Sequence, residues 1–314
     1  VNEQEPYLAR LTTRLIEGIE WLPEDVRDRH ASYLRRAQNP DGGFSGRAGG
    51  SDLYYTGFAL RSLAVLQKLD ADVANPAARF LRDRMTGTAS VIDLFSFVVS
   101  CYLVPLGGGP DLLADAPADW RDRVAATLES FRSPDGGYGK SPGAPFGSTY
   151  TSFLVTLCLE LLDRPIPTPD RLAEFVQSRR RPDGGFVEIS AMKRSGTNPT
   201  AAGIGLLQML DALEAVDRDA TGSFLAALPS PIEGGLRAND RIPAADLLST
   251  FTGVWTLDQL GEAGRLDWER IREYAAGCER PSGGFRGGLW DEEADVEYTF
   301  YGLGTLALAK VRLE

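Results

Sequence analysis

A chain of 314 residues with 43% hydrophobic and 25% charged residues has the balance of a folded globular protein and length enough for a large core. Its formal net charge of −11 and isoelectric point near 4.8 argue against broad contact with nucleic acid or an anionic membrane, since like charges repel, but leave room for a local basic patch. Three widely spaced cysteines, Cys101, Cys158 and Cys278, read as buried free thiols of a reducing compartment. No basic stretch followed by an apolar core opens the sequence. The longest apolar run, from Phe95, is too short and interrupted to span a bilayer. The expectation is a cytoplasmic protein without a membrane span.

Along the chain, the first amphipathic pattern includes RDRHASYL, whose His30 is the single histidine and reads as a surface residue. The pattern stops at NPDGGF, residues 39–44, and a polar loop leads into Asp52-LYYTGFALRSLAVL. That stretch is apolar nearly all round, as a helix buried on both sides would be. The next copy, near Thr86–Ser90, lacks its glycines but keeps its place. SPDGGY (133–138), RPDGGF (181–186), PIEGGL (231–236) and RPSGGF (280–285) follow. The double glycines begin at Gly42, Gly136, Gly184, Gly234 and Gly283, at intervals of 94, 48, 50 and 49 residues, the first being two periods of 47. Six repeats of about 48 residues result, the signature of a repeat architecture.

Each repeat pairs two helical patterns. The one before the turn, such as Asp170-RLAEFVQSRRR, carries Leu172, Phe175 and Val176 at helical spacing with charges opposite. The one after it, such as Tyr298-TFYGLGTLALA, is almost wholly apolar. Proline cannot continue a helix and glycine supplies the left-handed C-cap, so the Pro-Asp-Gly-Gly element ends the outer helix, and the aromatic that follows anchors the turn to the core. Sustained alternation, the mark of strands, is missing between helices. The expected fold is all-α, a single domain over 1–314 of six helical hairpins. An open solenoid would leave its two end repeats in need of polar caps. The hairpins are therefore expected to close into an α/α toroid (an α6/α6 barrel) around a central apolar cavity.

With its repeated outer helix, DGG(F/Y) turn, polar loop and D-x-x-Y-(S/T) opening of the inner helix, the chain resembles the prenyltransferase and squalene-cyclase superfamily. Within it, the chain is most similar to the β subunits of protein prenyltransferases, the Rab geranylgeranyltransferase kind above all. The likeness is strongest over 231–309, where GGL, Asp246, GRLDW, SGGF and Asp295-VEYT follow in the family's order. The resemblance implies a zinc ion held by an Asp, a Cys two residues on and a His of the last inner helix. Here Asp246 stands in the first position, but Leu248 and Tyr298 stand in the other two. An alkyl chain and a neutral phenol do not make a zinc site, so no metal is expected, with Mg²⁺ entering only as the companion of a diphosphate. Asp246 and Asp295 share the register of Asp52, just before an inner helix, and either cap that helix or serve as retained acids or weak magnesium ligands beside a diphosphate. With Tyr298 they are the catalytic candidates.

The resemblance also implies cations for a diphosphate. Arg194 falls at or near the family's His position, beside Lys193, and Arg237 and Arg241 follow in the next loop, whereas Thr149 replaces a further basic residue. Inner-helix aromatics, Tyr55, Tyr150, Phe251 and Trp255 among them, suit an isoprenoid chain. The function this implies is that of a prenyltransferase β-subunit-like protein that binds geranylgeranyl or farnesyl diphosphate in the central cavity, with zinc-independent transfer, and that pairs with a helical α subunit. Two alternatives stand beside it. One is a non-catalytic lipid-binding or protein-interaction toroid. The other is a terpene-cyclase-like enzyme using Asp93, although no DxDD motif is present.

Overall fold

A computed structural model describes residues 5–84 and 90–314. The glycine-less turn expected near Thr86–Ser90 lies outside the described residues but for Ser90. Among the described residues there are thirteen α-helices: α1 (Tyr7–Glu20), α2 (Glu24–Arg36), α3 (Leu53–Val65), α4 (Ala71–Asp83), α5 (Val91–Leu106), α6 (Trp120–Glu129), α7 (Thr149–Leu161), α8 (Pro169–Ser178), α9 (Thr197–Met209), α10 (Arg218–Ala226), α11 (Leu247–Leu260), α12 (Trp268–Cys278) and α13 (Val296–Leu313). The even-numbered helices are the amphipathic outer ones. From α3 onward the odd-numbered helices are the apolar inner ones, so the six expected hairpins are present. The contrast follows composition: α6 buries Leu128 alone, whereas α7 buries nine of its thirteen residues. All three cysteines are buried and free.

Three devices recur at the joints of the five hairpins that carry a glycine pair. The first glycine of every pair is left-handed, with φ between 87° and 95° at Gly42, Gly136, Gly184, Gly234 and Gly283. The residue after the pair, Phe44, Tyr138, Phe186, Leu236 or Phe285, is fully buried. Its backbone N–H donates to a hydroxyl of the inner helix: Thr56, Ser152, Thr200, Thr250 or Thr299. The same hydroxyl donates to the carbonyl four residues earlier. The Thr of D-x-x-Y-T thus ties turn to helix. Thr200→Val keeps the shape but leaves the buried Phe186 N–H unpartnered, and a loss of about 1–3 kcal/mol is expected, read as a lower urea midpoint at unchanged m.

The acid of the turn braces the loop beyond it. Asp41 accepts from Ser51, Asp135 from the Gly147 N–H, Asp183 from Ser195 and Glu233 from the Ala245 N–H. Four inner helices are then N-capped by the side chain just before them, Asp52, Ser148, Asp246 or Asp295. In α5 the cap is a reciprocal box between Ser90 and Asp93, which occupies the carboxylate considered as a cyclase acid.

By packing, the chain divides into two compact units. The first runs up to Arg10 and takes in Asp119–Ile271; the second is Leu11–Ala118 with Arg272–Glu314. In the first, α7 packs on α9 and α9 on α11; in the second, α13 packs on α3 and α3 on α5. Within the second unit the sixth turn also meets the first outer helix, where a Cβ on Gly283 would lie 2.5 Å from the Arg29 carbonyl oxygen. His30 corrects the sequence reading there. It is fully buried, its Nδ1 accepts the Gly284 N–H at 3.1 Å, and its ring stacks on Phe285 at 4.8 Å. The helical period sets His30 beside Ala31 and Leu34 on the buried face of α2, opposite the charges that made the segment read as surface.

Candidate functional site

In the first unit, the loop between the RPDGGF turn and α9 carries Lys193 and Arg194. Both line a cavity of about 320 Å³ with Asp183, Asp240, Phe224 and Leu228. Arg194 pairs with Asp240 of the next loop, and its hydrogen bond is the main cause holding the Asp240 carboxyl below the ordinary value. The floor is the outer helix α10 and the residues after it, so the cavity sets two cations and two carboxylates over an apolar wall.

The other expected cations separate. Arg237 turns to the end of α10, donating to the carbonyls of Leu228 at 2.9 Å and Ala227 at 3.2 Å. Arg241 is exposed beside Asp240. Thr149, at the position of the family's further basic residue, is buried and donates to the Val187 carbonyl. Asp246 accepts the Ser249 N–H at 2.7 Å as a helix cap. Burial, the largest influence, raises its carboxyl above the ordinary value despite that bond. Trp255 and Phe251 are buried, whereas Tyr150 is 39% exposed. The Trp255 indole N–H donates to the Tyr7 hydroxyl at 3.0 Å, and Phe153 meets the Tyr7 ring edge-on at 5.3 Å.

In the second unit, Asp295 caps α13 through the Tyr298 N–H. It also accepts from Arg47 Nε at 2.9 Å, while the Arg47 fork grips Asp291 at 2.9 and 2.5 Å. The guanidinium lies 5.6 Å from the Tyr298 ring centre. Burial raises the Asp295 carboxyl above its ordinary value. Two residues on, the Glu297 carboxylate accepts from the hydroxyls of Tyr54 at 2.7 Å and Tyr301 at 3.3 Å. Burial raises its carboxyl too, against those two bonds. Arg61 stands between aromatic faces, 4.2 Å from Phe58 and 4.6 Å from Phe300. Tyr55 packs edge-on against Tyr54 at 5.2 Å.

Sequence reasoning passed over Arg47, Arg61, Asp291 and Glu297. For two of them a signal was present. Arg61 is the single charge in LYYTGFALRSLAVL, and Glu297 is the single charge in VEYTFYGLGTLALA, and a lone charge in a buried helix needs a reason. Among the described residues, no group of three or more His, Cys, Asp or Glu side chains is placed to hold a metal ion. None of their helices is long and apolar enough to cross a membrane.

The profile of the prenyltransferase alpha-alpha toroid domain matches residues 7–94 and 77–313. Among solved structures, protein geranylgeranyltransferase-I of Candida albicans, complexed with GGPP, is similar at 15% identity and a TM-score of 0.70, over 90% of this chain and 91% of that one. The type II terpene cyclase MstE from Scytonema, in complex with geranylgeranyl dihydroxybenzoate, is similar at 13% identity and a TM-score of 0.56, over 97% and 98%. The GH76A alpha-1,6-mannanase of Salegentibacter sp. HEL1_6 is similar at 13% identity and a TM-score of 0.62, over 93% and 99%. These likenesses show the fold alone, which hosts unrelated chemistries. No curated protein matches the chain significantly.

Proposed function

The chain belongs to the prenyltransferase alpha-alpha toroid domain family, and from that membership we propose that it binds an isoprenoid diphosphate through its first unit. The observation that carries the reading is the cavity in which Lys193 and Arg194 stand over Phe224 and Leu228. Cations over an apolar wall suit a charged head on a hydrocarbon chain, and guanidinium is the better partner for phosphate oxygens because it donates two parallel bonds. Arg241, exposed beside Asp240, adds a third cation, and Phe224 and Leu228 of the lining offer the chain apolar faces. The fold likeness to a geranylgeranyltransferase in complex with GGPP supports the same reading.

The residues at the family's zinc positions do not fit zinc. Asp246 is engaged as a helix cap, and Leu248 carries no donor atom. Mg²⁺ is different, because it is commonly held by one or two carboxylates together with substrate phosphates. Asp183 and Asp240 line the cavity and would hold it, and the ion would neutralise charge on the leaving group. Where transfer follows binding, the allylic C–O bond breaks with its electron pair on the diphosphate, whose charge Lys193 and Arg194 stabilise. The proton of the attacking nucleophile passes to the released diphosphate, itself a base near neutrality; Asp246, engaged as the α11 cap and not among the residues lining the cavity, takes no step. Asp295 and Tyr298 are held in the Arg47 corner of the second unit, and no step is assigned to them.

Titration with geranylgeranyl and farnesyl diphosphate tests the reading. Micromolar binding is expected, weakened by about 10–100-fold in Arg194→Ala, as suits loss of a charge-assisted bond. Absence of binding by a folded protein overturns it.

A further inference from the structure

We propose that the three loops opening the inner helices of the first unit form a docking surface for an anionic lipid bilayer. These loops, residues 139–148, 187–196 and 237–246, each present one large apolar side chain to solvent: Phe146 at 58% exposure, Met192 at 47% and Ile242 at 44%. Each also carries exposed positive charge, Lys140 on the first, Lys193 and Arg194 on the second and Arg241 on the third. Asp240 is their one exposed acid and pairs with Arg194, which leaves Lys140, Lys193 and Arg241 as the net positive charge of the exposed surface.

The loops make one surface. The Thr149 N–H donates to the Glu188 carbonyl at 3.0 Å, and the Thr197 N–H donates to the Ala238 carbonyl at 2.9 Å, so each loop is laced to the next. The middle loop is held from beneath by Arg181, which donates to the carbonyls of Ser190 at 3.0 Å and Met192 at 2.8 Å. The apolar tips are therefore held out by a braced backbone.

Chemistry decides between occupants. Protein interfaces gather their apolar residues into a dry core and are depleted in lysine. Here the three apolar side chains sit singly on separate loops, and each loop also carries at least one exposed lysine or arginine. Such an arrangement suits the boundary of a membrane, where an apolar side chain enters the acyl region while Lys and Arg reach lipid phosphates. The net charge of −11 does not oppose this, because screening over about 8 Å at physiological salt leaves the bilayer facing mainly the nearest charges. The second unit supplies the contrast. Its Trp290 tip, 59% exposed, stands near the exposed acids Glu292 and Glu293, and an anionic surface would repel it.

Co-sedimentation with vesicles of phosphatidylcholine alone and of phosphatidylcholine with phosphatidylserine tests the proposal. Binding is expected only to the phosphatidylserine vesicles, and high salt should release it. Phe146→Ser, Met192→Ser and Ile242→Ser combined should weaken it by about tenfold or more, with the thermal midpoint and geranylgeranyl diphosphate binding in buffer unchanged. Those last two readouts separate this proposal from the ligand reading. Failure to sediment with either vesicle, equal binding to both, or binding indifferent to the triple variant overturns the proposal and leaves the loops to a protein partner.

Discussion

Gly42→Ala is expected to destabilise the protein by about 4 kcal/mol or more, at the exceptional end of single substitutions. At φ +90° the backbone is left-handed, and the added Cβ would lie 2.1 Å from the Pro76 carbonyl oxygen. The conformation alone costs an L residue about 1–2 kcal/mol. The collision adds the rest, because its partner is the backbone of α4, which cannot turn aside as a side chain can. Gly49→Ala is the internal control, for it has φ +91° and nothing within 4 Å of its Cβ position. A loss of about 1–2 kcal/mol is expected there. The two variants compared by urea unfolding isolate the close approach of turn to outer helix. Equal losses would show that this approach carries no weight.

Arg47→Ala should lower stability by about 2 kcal/mol, under the range for breaking a fully buried pair because the guanidinium is partly solvated. Asp291 and Asp295 are each only 8% exposed, and both lose their cation. The effect should depend on pH. Burial pushes the Asp291 carboxyl up, but the hydrogen bonds from Arg47 and from the Gly287 and Glu293 N–H groups outweigh it and hold the carboxyl below its ordinary 3.8. A depressed carboxyl contributes stability that is present above the unfolded value and lost as pH falls through the folded one. The penalty of Arg47→Ala should therefore be full near neutrality and shrink below about pH 4. Asp291→Asn in the Arg47→Ala background should recover part of the loss, since it removes the stranded charge. A penalty that stays constant down to acid pH would show that the pair is not the source.

The hairpins were legible because their signals are local. A proline and a left-handed glycine end a helix wherever they occur, and an all-round apolar stretch is buried whatever its neighbours. The helix-cap reading of Asp246 and Asp295 was within reach for the same reason, since a cap is a bond over three residues. The candidate site was less legible. Lys193 and Arg194 share one cavity, but Arg237, only one loop away, is drawn to the carbonyls that end α10, and no spacing rule reports which way a loop arginine turns. His30 misled for a related reason. Its neighbours Arg29 and Arg27 are charged, and only the phase of α2 against Phe285 decides that the imidazole lies inside.

The repeat period, the helix ends and the burial of the inner helices belong to the sequence by itself, because each follows from a residue's own backbone preference or from apolar area that water excludes. Which side chains meet belongs to the tertiary structure. Arg47 reaches Asp295 across 248 positions, and Tyr54 reaches Glu297 across 243. These pairs exist because α13 packs on α3, and so does the altered basicity of Glu297, since burial shifts a carboxyl only once a neighbouring helix has removed the water around it.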